Sequence, residues 1–102
     1  MEQGKHVRTG VDLREVNLTF ANLEWVILPR ANLCGAVLRE VNLCNAELIL
    51  ADFTGADLTG ADISGAWLLD TKFQEAKITR EQLATRRKLG QLDFDYHAYE
   101  IV

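Results

Sequence analysis

The chain has 102 residues, 48% of them apolar and 25% charged, with a net charge of −4 at pH 7. That is the length and composition of one folded domain rather than a disordered chain. The acidic balance argues against a nucleic-acid backbone as partner, and no apolar run approaches the roughly 18 residues that a bilayer span needs.

The first ten residues, MEQGKHVRTG, contain no hydrophobic segment and are not expected to act as a signal peptide. Arg8 stands where a core position would fall, so residues 1–10 read as an N-terminal edge or partial cap. With only Cys34 and Cys44 there is no disulfide framework, and a cytoplasmic, reducing location is the expectation.

From residue 11 a period of five takes over. Positions 13, 18, 23 and every fifth residue to 78 are Leu, Phe or Ile, and the residue two before each is Val, Ala or Thr. An amphipathic helix repeats every 3.6 residues and a half-buried strand every 2, so neither explains a period of five. Residues two apart in an extended segment point to the same side. The small and large residues therefore face inward around one outward residue, and the remaining three turn the chain. Gly35, Gly55, Gly60 and Gly65 close their pentapeptides, where a turn can use a positive φ. A chain that turns alike at every fifth residue winds into a coil whose turns stack over a continuous core.

The segments ANLCG, ADFTG, ADLTG and ADISG match the pattern A(D/N)LXX. On these the chain resembles the pentapeptide-repeat family over residues 11–80. The resemblance implies an all-β solenoid: a right-handed quadrilateral β-helix with four pentapeptides per coil, about three and a half coils here. Phe53 and Phe73, the phenylalanines at central positions, are twenty apart and would then stack on one side.

The outward residue is Asp or Asn in eight repeats, namely Asp12, Asn17, Asn22, Asn32, Asn42, Asp52, Asp57 and Asp62. Their short side chains are expected to accept hydrogen bonds from nearby turn amides. The exceptions are Ile27, Val37, Glu47, Trp67, Lys72 and Lys77. Ile27, Glu47 and Trp67 are spaced by twenty and so share a side. Trp25, Ile27, Pro29, Ile49, Leu50, Trp67 and Leu69 would make the outside of that side an apolar wall, which on a soluble domain marks something that covers it. The cover could be the chain's own tail, a second copy in a homodimer, or another protein.

After the repeat, Thr79 and Gln82 read as a capping box opening a helix over about 80–89, closed by Gly90. Leu83 and Leu89 of this helix are expected to plug the end of the coil. The alternation of Leu92, Phe94 and Tyr96 suggests a half-buried strand, with Tyr99 and Ile101 following, laid along a side wall. Residues 81–102 thus form a helix and an aromatic tail, and the cluster RRK at 86–88 reads as a solvated helix face.

Nothing in the chain reads as a catalytic, cofactor or metal site. His6 and His97 have no neighbouring ligand at zinc spacing, and Cys34 and Cys44 would lie on opposite walls. No nucleophile–base pair or phosphate loop is present. The expected role is a non-catalytic protein-interaction or scaffold module. The resemblance implies an alternative, since some family members linked to quinolone resistance imitate duplex DNA at a type II topoisomerase, DNA gyrase. Residues 11–80 carry ten acidic and six basic side chains, a weakly acidic stub for that task.

Overall fold

A turn at every fifth residue organises the chain. In the computed structural model, which describes residues 10–87 and 100–101, every fifth residue from Gly10 to Glu75 has a positive φ, between 56° and 76°. Five of these are glycines; the rest include Phe20, Trp25, Leu50 and Asp70. Each turn is closed by a bond from the next small residue to the preceding central one: Ala21 N–H donates to Leu18 C=O (2.9 Å), and Ala56 N–H to Phe53 C=O (2.9 Å). Positive φ at the third residue of such a turn suits glycine, and holding another residue there costs roughly 1–2 kcal/mol. At Gly60 a Cβ would meet only the tip of the exposed Glu40 side chain, which can swing aside, so the φ of 74° is the demand for glycine there.

Four turns bring the chain back beside itself twenty residues later. Parallel bridges join Asp12, Asn32, Asp52 and Lys72 on one side, and Asn17, Val37, Asp57 and Lys77 on the next. Asn22, Asn42 and Asp62 form the third column; Ile27, Glu47, Trp67 and Arg87 form the fourth. The backbone pattern is constant: a central amide donates to the outward residue one row on (Leu33 to Asp52, 2.7 Å), and an outward amide donates to the small residue one row back (Asp52 to Ala31, 2.9 Å). One bridged residue per side leaves room for few regular strands. Strand β1 is Lys77–Ile78, and β2, Glu100–Ile101, pairs with it in parallel.

The two inward columns make the core. The small residues Ala31 to Ala76 and the large ones Leu33 to Ile78 are buried, while Leu13, Leu18, Leu23 and Leu28 of the first row are partly buried against them. Thr71, the one polar member, is buried and donates its hydroxyl to Leu48 C=O at 2.9 Å, so it leaves no unpaired donor.

At the far end the repeat gives way to helix α1, Arg80–Ala84. The capping box is present: Gln82 N–H donates to the Thr79 hydroxyl (3.0 Å), and Thr79 N–H donates to the Gln82 side chain (2.7 Å). Leu83 is buried as part of the hydrophobic core cluster. The helix is five residues long and does not run to residue 89. The reason lies in the row beneath, where Gly65 N–H and Ala66 C=O need partners: Gly65 donates to Thr85 C=O, and Arg87 N–H donates to Ala66 C=O, both at 2.7 Å. The chain therefore returns to the ladder at Thr85, and the cluster at 86–88 begins off the helix rather than on its solvated face. Gln82 bridges the gap that the helix opens. In the regular pattern Ala61 C=O would take the amide of residue 82; here the Gln82 side-chain amide donates to Ala61 C=O (2.9 Å) and Leu58 C=O (2.7 Å) instead.

The expected contacts of Leu89, Leu92, Phe94, Tyr96 and Tyr99, and the edge formed by residues 1–9, lie outside the described residues. Among the described residues no helix is long and apolar enough to cross a membrane.

Candidate interaction wall

The column Ile27, Glu47, Trp67 and Arg87 stands on a continuous ladder. Glu47, Trp67 and Arg87 donate their amides to Val26, Ala46 and Ala66 at 2.8, 2.8 and 2.7 Å, while Leu28 and Leu48 donate to Glu47 and Trp67 at 2.9 Å each. Beside it runs a second column, Pro29, Ile49 and Leu69, tied by Arg30 N–H to Ile49 C=O (2.9 Å) and Leu50 N–H to Leu69 C=O (3.0 Å). The side chains are thus presented from a backbone with little freedom, on rows about 4.8 Å apart.

All seven wall residues expected from the sequence lie on this side or its corners. Trp25 is 63% exposed, Ile27 44% and Leu50 39%. Pro29, Ile49, Trp67 and Leu69 are half-buried. Trp25 and Leu50 occupy corners at φ 65°, so two large apolar side chains are held in water on a backbone conformation that disfavours them. The turn imposes this conformation at every corner, whichever residue stands there.

Two features escaped the sequence reading. Arg87 adds a fourth row: its guanidinium lies 4.3 Å from the centre of the Trp67 ring, a cation–π contact, and its Nε is buried with no hydrogen-bond partner. Its spacing of twenty from Trp67 was the available signal. Phe20, 76% exposed at φ 66° on the neighbouring corner, is the most exposed of the large apolar residues described; its corner joins the sides of Asn17 and Asn22, so it does not fall in with the apolar side. Strand β2 stacks on the Lys77 side, not on the tryptophan side.

The other walls are polar and self-satisfied. Asn17, Asn22, Asn32, Asn42, Asp52, Asp57 and Asp62 each accept the amide two residues on, at 3.0–3.1 Å. Hydrogen bonds from Ser64 hold the Asp62 carboxyl below its ordinary range. For Asp52 and Asp57 burial pushes upward, but the bonds from Thr54 and Thr59, with nearby cations, outweigh it and the carboxyls end below that range. Asp57 also pairs with Arg39 at 3.0 Å. Asp12 is brought down to about 2, chiefly by the Arg14 side chain, which donates to it at 2.7 and 2.8 Å. An open hollow beside Asp12, Arg14 and Glu15 therefore offers a cation that is already engaged.

Cys34 and Cys44 are free and stand on opposite sides, and burial pushes both thiols up, away from reactivity. Among the described residues no group of three or more His, Cys, Asp or Glu is placed to hold a metal ion.

A comparison with curated protein sequences returned no match. The family model for pentapeptide repeats matches in eight copies, over residues 17–55, 27–65 and 36–74, which together span more than half of the chain. With its five-residue turns and twenty-residue ladder, the chain belongs to the pentapeptide repeat family.

Proposed function

We propose that the chain is a non-catalytic scaffold module, a right-handed four-sided β-helix capped by α1, that binds protein through the wall of Trp25, Ile27, Pro29, Ile49, Leu50, Trp67 and Leu69. The observation that carries this reading is the exposure of Trp25, Ile27 and Leu50 together on one rigid side. Tryptophan is a favoured anchor at interfaces, and an apolar patch on a fixed backbone binds with little ordering cost. Free Cys34 and Cys44 suit a reducing compartment such as the cytoplasm. The DNA-imitating alternative has less support, since the acidic columns of Asp52 and Asp57 continue into Lys72 and Lys77.

The test is affinity capture with the immobilised chain and its Trp67→Glu variant, both checked for fold by circular dichroism. Loss of the captured protein from the folded variant is the expected result. Equal capture by both would remove the wall from consideration.

A further inference from the structure

We propose that the wall binds a second copy of the same chain, antiparallel, with its first row against the partner's fourth. This rests on the reading of the wall as an interaction surface and names its partner. Along the outward column the order is apolar, acid, aromatic, base: Ile27, Glu47, Trp67, Arg87.

Within one chain Glu47 and Arg87 are two rows apart, roughly 10 Å along the stack, with the indole of Trp67 between them. Neither has an ion-pair partner among the described residues, where the pairs are Arg14–Asp12 and Arg39–Asp57. The Arg87 guanidinium lies across the Trp67 ring, so the cation stands at the Trp67 level of the wall. A partner that suits this surface must bring a carboxylate to the Trp67 level and apolar groups around it.

Reversing a copy of the wall supplies both. Glu47 then faces the other copy's Trp67 and the guanidinium resting on it, and the symmetry gives this contact twice. Ile49 meets the other Leu69, and Ile27 meets the Arg87 stem. A parallel arrangement instead sets Glu47 near Glu47 and Arg87 near Arg87, which like-charge repulsion disfavours. Four rows make a face roughly 20 Å tall and one pentapeptide, at most about 17 Å, wide, so its area of roughly 350 Å² falls below the about 800 Å² per partner of a standard interface. The association is therefore weak and reversible, and its direction is set by charge.

Sedimentation velocity of the purified full chain, from about 10 μM to about 1 mM, tests it. The wild type is expected to dimerise progressively across that range. Glu47→Arg alone and Arg87→Glu alone should each weaken dimerisation at least about tenfold. An equimolar mixture of the two variants should recover it, because their reversed charges at 47 and 87 complement each other across the antiparallel interface. Ionic strength gives a second readout on the wild type, independent of how well the variants fold: association should weaken as salt rises to about 0.5 M.

A wild type that stays monomeric throughout overturns the inference. So does a mixture of folded variants that fails to associate, or dimerisation indifferent to salt. If the wild type is monomeric while Trp67→Glu still abolishes capture of another protein, the second copy is excluded and the wall reading stands.

Discussion

Phe53 and Phe73, twenty residues apart in sequence, stack inside the coil with ring centroids 5.3 Å apart and planes 17° from parallel. They tie one row to the next through the core, as Trp67 and Arg87 do on the outside. Phe53→Ala should cost about 3–5 kcal/mol, the range for emptying a buried aromatic site. Combined with Phe73→Ala, it should yield a coupling energy of about 0.5–1.5 kcal/mol in urea denaturation. Strict additivity would mean that the stacking geometry contributes nothing beyond burial.

Backbone strain at the corners gives a second expectation with two signs. Phe20 sits at φ 66° with its ring in solvent, so Phe20→Gly should stabilise by about 1 kcal/mol, after the entropy glycine adds to the unfolded chain. Gly60→Ala should destabilise by about 1 kcal/mol through the strained φ of 74°, while the exposed tip of Glu40 swings aside from the added Cβ. Adding Glu40→Ala should therefore recover little of that loss. Thermal midpoints of the four proteins check the series.

Gln82 closes the helix start with its oxygen and caps two carbonyls with its nitrogen. Glutamate is as good as glutamine in an ordinary capping box. Gln82→Glu should nonetheless cost about 1–3 kcal/mol at neutral pH, since a carboxylate cannot donate to Leu58 and Ala61. Acidification should narrow the gap to the wild type as that carboxylate takes up a proton and can donate. Denaturation midpoints measured at neutral and mildly acidic pH would decide it, and a neutral effect at pH 7 would show that the two carbonyls need no donor.

The turn carboxylates set the response to acid. Asp52, Asp57 and Asp62 have folded pKa values lowered from 3.8, so their contribution is complete above the unfolded value. It is lost as pH falls through their folded values, below 3.8. Asn22 and Asn42, on the same side as Asp62, make the same bond to the amide two residues on without a charge. The triple variant Asp52→Asn, Asp57→Asn, Asp62→Asn should therefore lose less stability than the wild type between pH 5 and about 2.5. Parallel acid titrations followed by circular dichroism measure this.

The period of five made the turns and the two inward columns legible, because each is repeated often enough to stand out from local noise; the tryptophan side became legible only with the four-sided coil that the family resemblance implies. The twenty residues per coil came from the resemblance to pentapeptide repeats, and the spacing of Phe53 and Phe73 agreed with it. The end of α1 was not legible: the residues after Ala84, TRRKLG, read locally as more helix, and local propensity is blind to Gly65 and Ala66 waiting one row below. Arg87 was lost for the same reason, since a helix assigned through residue 89 removed it from the column it rejoins. Phe20 was missed because its corner lies between the sides of Asn17 and Asn22, whose outward residues are polar, whereas Trp25 and Leu50 flank the side already marked as apolar. The tail residues Leu92 to Tyr99 lie outside the described residues, while Glu100–Ile101 stack on the Lys77 side.

A chain that changes direction every five residues and regains its bearing every twenty has two separate units of inheritance. Gain or loss of twenty residues alters only height, leaving each surviving side chain aimed as before. Gain or loss of five swings everything downstream through a quarter circle: removing 51–55 would carry Trp67 around to sit over Asn42 and split it from Ile27. For a coil of this kind, reach and aim can therefore change independently, in steps fixed by arithmetic.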